Sequence, residues 1–222
     1  MTIGAGDSAL FGPLFARPEL SAIFSDKARL AAMLRFEAAL ARAEAACGVI
    51  PAEAAEKIAA ACRPETFDLE ALGATAAKAG NPVIPMVKAL TAEAGGEAGR
   101  YVHWGATTQD VMDTGLVLQL CDVLDLTQAS LDRLIAALTG LARRHRDDPM
   151  AGRTFMQQAL PISFGFKVAG WLSPLLRARE RFGELRPRLM AVQFGGAVGT
   201  LAALGGQGRA VQRALAEELK LG

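Results

Sequence analysis

The sequence predicts an all-α fold: a domain of short helices over residues 1–106, then long helices of a bundle over residues 107–222. Three observations predict it. Ala and Leu dominate the 222 residues, and no stretch alternates apolar with polar residues as a half-buried strand would. From Thr108 to Arg146 no proline interrupts a helical stripe of Leu120, Leu124, Leu131, Leu134, Ile135, Leu138 and Leu141. Before that segment, prolines and glycines cut the chain into pieces of ordinary helix length.

Residues 7 to 24 are broken by Pro13 and Pro18, giving a loop and a short helix around RPELSAIF. Ser25 and Asp26 offer an N-cap, and Leu30, Leu34, Ala38, Ala41 and Ala45 follow at helical spacing until Gly48. Pro51 suits the first turn of the next helix, which should reach about Cys62. Asp68 is placed to cap another through Lys78, and GNPVIPMVKALTAEAGG reads as a helix between prolines and glycines. A helix from Thr108 to Arg146 would be about 57 Å long at 1.5 Å per residue, so its apolar stripe needs other long helices beside it. A second long helix should start near Pro161, with Phe164, Val168, Trp171, Leu172, Leu175 and Leu176 on its buried face and Pro174 at a kink.

Composition excludes several classes. Charges nearly cancel at net +1 and aromatics are 6%, which points away from nucleic-acid and membrane partners. No segment approaches the roughly 20 apolar residues of a membrane span, and no leader is expected at the N-terminus. Cys47, Cys62 and Cys121 are odd in number and far apart, which fits reduced thiols in a cytoplasmic protein. No His-Glu-x-x-His, Cys-x-x-Cys or Gly-x-Ser-x-Gly occurs, so neither a metal nor a serine elbow is expected.

Three stretches stand out. In YVHWGATTQDVMDT, residues 101 to 114, Thr107 and Thr108 precede Asp110 at the start of the long helix. A hydroxyl there can cap free backbone N–H groups. Those N–H groups, at the positive end of the helix dipole, can also hold a carboxylate. The stretch is therefore either a capped helix start or the floor of an anion site. His103 beside it either orients the loop by hydrogen bonding or shuttles protons, whereas His145 reads as a solvated helix-end residue. In GRTFMQQALPISFGFK, residues 152 to 167, Arg153, Thr154, Gln157, Gln158 and Lys167 are either donors for carboxylates or a polar loop between helices. QFGGAVGTLAALGGQG, residues 193 to 208, lacks the preceding strand and the Gly-Lys-Ser/Thr of a nucleotide loop. Close helix approach or a flexible loop over a site fits it better.

RPELSAIFSD, HWGATTQDVMDT and GRTFMQQALPISFGFK, in this order, resemble the fumarase/aspartase superfamily, which includes adenylosuccinate lyase. FSDKARLAAMLRFEAALARAEAACGVIP and AGNPVIPMVKAL are most similar to its carboxymuconate cycloisomerase branch. The resemblance implies a homotetramer with active sites shared between subunits, a small tricarboxylate substrate and no cofactor. It also implies ring closure by addition of a substrate carboxylate across a conjugated double bond, through an aci-carboxylate carbanion. The candidate catalytic residues are then His103, Thr108 and Gln157. The candidate binding residues are Thr107, Thr108, Asp110, Arg153, Thr154, Gln157, Gln158 and Lys167.

Departures from the family pattern favour the lactonising branch. Leu14 and Phe15 stand where adenylosuccinate lyases carry Arg-Tyr for a phosphate, Asn81-Pro82 replaces a His-Asp pair, and Phe155 replaces an acid/base histidine. A substrate that carries its own nucleophile needs less general-base help. The superfamily's third signature, a Ser-rich loop with Met-Pro-x-Lys-x-Asn-Pro, is absent. This leads to the expectation of a truncated chain that is inactive or nearly so alone, with another lyase of the superfamily or a non-catalytic helical assembly module as the other readings.

Overall fold

The computed structural model describes Ser8 and residues 10–222, so the start of the expected N-terminal loop lies outside the described residues. Helices α1 (Gly12–Phe15) and α2 (Pro18–Ile23) each carry a proline in the first turn, where the missing N–H costs no helical bond. Helix α3 (Asp26–Ala46) is capped by Ser25, whose hydroxyl accepts from the Ala28 N–H. It ends where Gly48 turns to φ 71°, a left-handed value that glycine adopts without steric cost. Helices α4 (Ala52–Ala61), α5 (Leu69–Ala79) and α6 (Val83–Ala94) follow. Asp68 accepts from the Glu70 and Ala71 N–H groups to start α5, and Gly80 closes it at φ 72°.

Helix α3 is the hub of this region. Burial runs around it instead of along the single stripe expected, with Leu34 and Phe36 both fully covered although they point to nearly opposite faces. Its many alanines let α4 and α9 (Gly208–Leu219) approach closely, and Ile58, Met86, Leu90, Val211 and Leu215 join the same core.

Helix α7 (Thr108–Arg144) has 37 residues, a length of about 55 Å. Its first turns are tied to α2 and α3. The Arg29 guanidinium donates to Gln119 Oε1 at 2.8 Å and to the Met112 carbonyl at 3.1 Å, and Gln119 Nε2 donates to the Ile23 carbonyl at 2.6 Å. Gly115 lies against Met33, with little room for a Cβ.

The chain divides into two compact units. One takes the described residues up to Asp122 together with Leu189–Gly222, and the other is Val123–Arg188. The first turns of α7 pack on α3, and the C-terminal segment returns to α3 through α9.

The second unit contains the rest of α7, a hairpin of β1 (Pro149–Thr154) and β2 (Gln157–Ser163), and most of α8 (Phe164–Leu189). The fold is all-α apart from this hairpin, which the sequence reading missed. Thr154 pairs with Gln157 and Arg153 with Gln158. The turn between the strands is Phe155 and Met156, at φ 39° and 63°. Two consecutive positive φ values match the twist of a tight hairpin but are expected of Asn-Gly or Gly-Gly, not of bulky residues. Gly152 is required beneath it, since a Cβ there would collide with the Leu160 carbonyl. Helix α8 therefore starts at Phe164 instead of near Pro161, with Val168 buried and Trp171 half exposed at 49%. Arg186 pairs with Asp125 at 2.7 Å, joining α8 to α7 within the unit.

Candidate functional site

The N-terminus of α7 differs from the expected threonine cap in an instructive way. The acceptor that closes it is the Asp110 carboxylate, 1% exposed, which reaches back to the Thr107 N–H at 3.0 Å. Its oxygens also accept from the Gly195 N–H at 3.0 Å and the Gly196 N–H at 2.9 Å. A carboxylate that accepts several N–H bonds is strongly held. Asp110 thereby fixes the loop after α8 onto the start of α7.

Thr114 makes a second fastening one turn further on. Its hydroxyl donates to the Gln193 carbonyl at 2.9 Å and accepts from the Gln193 N–H at 3.0 Å. Gly196, at φ 71°, comes so close to Gly105 that a Cβ would lie 2.8 Å from the Gly105 carbonyl oxygen. Phe194 tilts against Phe36 of the core at 6.4 Å. Within the 193–208 stretch, Gly195 and Gly196 serve close approach of backbone, whereas a Cβ at Gly199, Gly205 or Gly206 would meet nothing within 4 Å.

Asp110 satisfies the Thr107 N–H, and the hydroxyls of Thr107 and Thr108 take part in no hydrogen bond among the described residues. Both residues are half-buried at the positive end of a long helix. His103 precedes them in a tight turn at φ 60°. Its side chain is 16% exposed, and Nδ1 lies 2.6 Å from Oε1 of Glu37, whose side chain is wholly buried on α3. Burial disfavours the imidazolium, but the Glu37 hydrogen bond, the Glu37 charge and the Asp110 charge outweigh it. The net shift of the His103 pKa is upward. The structure thus brings His103, Thr107, Thr108 and Asp110 together, with two threonine hydroxyls, helix N–H groups and one imidazole able to meet an anion.

The remaining candidates belong to the second unit. Arg153, Thr154, Gln157 and Gln158 are exposed on the hairpin, not in a loop between helices. Lys167 on α8 rests over the Trp171 ring at 5.7 Å. His145 pairs with Asp148 at 2.7 Å and stands edge-on to Phe164, so it is less solvated than its position suggested. A cavity of about 560 Å³ between α5 and α6 contains none of the candidate residues.

Sequence reasoning missed Glu37 and the fastening roles of Asp110 and Thr114. For Glu37 a signal existed. Glu37 and Glu44 lie seven residues apart on one face of an otherwise alanine- and leucine-rich helix, and both are buried. Burial, then the charge of Glu37, pushes the Glu44 carboxyl up to about 9.

This fold and site define a class. A family model described as Lyase matches residues 15–222, and the chain belongs to that lyase family. Its helical architecture is of the fumarase/aspartase type. Within the family it is 55% identical over 96% of its length to the 3-carboxy-cis,cis-muconate cycloisomerase of Pseudomonas aeruginosa, covering 47% of that protein. The crystal structure of the 3-carboxy-cis,cis-muconate lactonizing enzyme from Pseudomonas putida superposes with a TM-score of 0.93 at 53% identity, over 96% of this chain and 49% of that one. Nitrosuccinate lyase from Streptomyces davaonensis is 47% identical over 88% of this chain and 42% of that protein. The chain spans about half the length of the curated relatives it matches. Among the described residues, no helix is long and apolar enough to cross a membrane.

Proposed function

We propose that the protein carrying this chain is a cytoplasmic cycloisomerase that closes 3-carboxy-cis,cis-muconate to a carboxylated muconolactone in the breakdown of protocatechuate. The observation that carries this reading is the start of α7, where the hydroxyls of Thr107 and Thr108 make no hydrogen bond among the described residues and lie beside His103. The resemblance to cycloisomerases at 55% identity supports 3-carboxy-cis,cis-muconate as the substrate.

The chemistry follows from the groups. One substrate carboxylate adds to the conjugated double bond and forms the ring C–O bond. The π electrons move onto the acceptor carboxylate as an aci-carboxylate. Thr107, Thr108 and the helix N-terminus hold that charge, since donors fixed in advance stabilise developing charge without reorganising. A proton then reaches the carbon beside the acceptor carboxylate, and His103 is the candidate donor. Atoms balance with no cofactor.

Thr154 and Gln157, with Arg153, Gln158 and Lys167, would bind the remaining carboxylates in a homotetramer whose sites are shared between subunits. Support for an assembly comes from the apolar groups left uncovered in the second unit. Phe155 is 95% exposed and Phe166 70%, and solvent-facing aromatics on this scale mark contact surfaces.

Ultraviolet absorbance of 3-carboxy-cis,cis-muconate mixed with the full-length protein tests the reading, with nitrosuccinate and adenylosuccinate in parallel. The diene signal should be lost while the other two substrates stay intact. Turnover of either of those instead would reassign the protein to another lyase of the family.

A further inference from the structure

His103 is held by a residue 66 positions earlier in the chain. Glu37 reaches it from α3, with Oε1 2.6 Å from Nδ1 and a side chain fully withdrawn from solvent. Nε2 makes no hydrogen bond among the described residues. A carboxyl on one ring nitrogen and an open position at the other divides the imidazole into a held edge and a presented edge. The backbone of His103, at φ 60°, is left-handed, a conformation that crowds the Cβ of any residue other than glycine. The turn is thus kept in an unfavourable conformation that places the ring against Glu37.

The groups acting on this ring come from two helices. Glu37 on α3 and Asp110 on α7 both favour its charged form. The two carboxyls have different duties, since both oxygens of Asp110 are bound by backbone N–H groups. Glu37 keeps one oxygen, Oε2, without a partner. Glu44 lies on the same helix, with both of its oxygens buried and unpartnered. A buried carboxyl on an imidazole, with nothing else saturating it, is free to set the tautomer of that ring.

We infer that Glu37 is a positioning residue that fixes the orientation and the Nδ1–H tautomer of His103, so that Nε2 is the nitrogen presented at the start of α7. This rests on the acid–base role given to His103 above.

The test has two arms. In the first, the chain is labelled with ¹⁵N-histidine, and because it contains only two histidines, a His145→Gln variant assigns the His103 signals. Neutral His103 should carry its proton on Nδ1, and Glu37→Gln should lower its titration midpoint. A proton on Nε2 in the unmodified chain would overturn the inference even if Glu37→Gln failed to fold. So would an unmoved midpoint in a folded Glu37→Gln. In the second arm, Glu37→Gln in the full-length protein should lower kcat on the order of tenfold, part of what acid–base groups supply. KM should change little, and the pH limb due to His103 should move acidward. Unchanged kcat and pH profile would reduce the pair to a structural tie and overturn the inference. Failure of the substrate reading is distinguishable, because it appears as no loss of carboxymuconate absorbance in the unmodified protein while the nitrogen signals still report on Glu37.

Discussion

The two compact units use their polar side chains in opposite ways. In the first, the carboxylates nearest the candidate site are buried. Asp110 accepts three backbone N–H bonds, Thr114 clasps Gln193, and Glu37 grips His103. In the second, the donors of the hairpin stand in solvent, and the ion pairs, such as Arg186 with Asp125, link exposed groups. A buried carboxylate with its bonds satisfied fixes the backbone around it, whereas a surface ion pair contributes little. The start of α7 is therefore fastened by buried side chains of this chain. The polar side chains of the hairpin are held by no such buried bonds and stand exposed.

The contrast can be broken at both ends. The largest effect should come from Asp110→Ala, which leaves three N–H groups without their acceptor. Buried bonds to a charged group are worth about 1.5–3 kcal/mol each, so a loss of at least about 3 kcal/mol is expected in denaturant unfolding. An unfolding midpoint close to that of the unmodified chain would show that the loop at residues 193–196 is held by something else.

Gly165→Ala should follow, at about 3 kcal/mol, because a Cβ there would meet the Ala142 and His145 carbonyls at 2.5 and 2.7 Å. Its effect belongs to the second unit, so hydrogen exchange should rise in 123–188 and stay low in α3.

A pH series sharpens the first unit further. Between the ordinary carboxyl value of 4.5 and about 9, the unfolded chain releases the Glu44 proton while the folded chain keeps it. Its presence therefore lowers stability progressively as pH rises through that window. Glu44→Gln removes the titration. The stability difference between variant and unmodified chain should shift in the variant's favour from pH 5 toward pH 9, and a difference flat with pH would contradict the burial of Glu44. The smallest effect is expected from Asp125→Ala in the second unit, within about 1 kcal/mol, as for exposed ion pairs generally.

What the sequence made legible divides along the same line. Helix ends could be read because their signals are local. Ser25 and Asp68 cap where caps were expected, Gly48 follows α3 as expected, and an uninterrupted run without proline became α7. The hairpin was not legible, since its turn is Phe155-Met156, residues with no propensity for positive φ, and its strands lack alternation. Nor could local pattern reveal that Asp110 holds Gly195 and Gly196, more than 80 residues away. The Thr-Thr pair expected to cap the helix instead makes no side-chain hydrogen bond among the described residues. Glu37 was the one long-range partner that left a trace, as a charged residue on a buried helix face.

The most direct test of the anion floor is Thr108→Ala in the full-length protein, followed by 3-carboxy-cis,cis-muconate absorbance. The hydroxyl makes no hydrogen bond within the described chain, so the unfolding midpoint should hold while kcat/KM falls about 100-fold, the scale for removing one preorganised donor. Undiminished turnover by a folded Thr108→Ala would contradict the account, because the start of α7 would then be an ordinary capped helix.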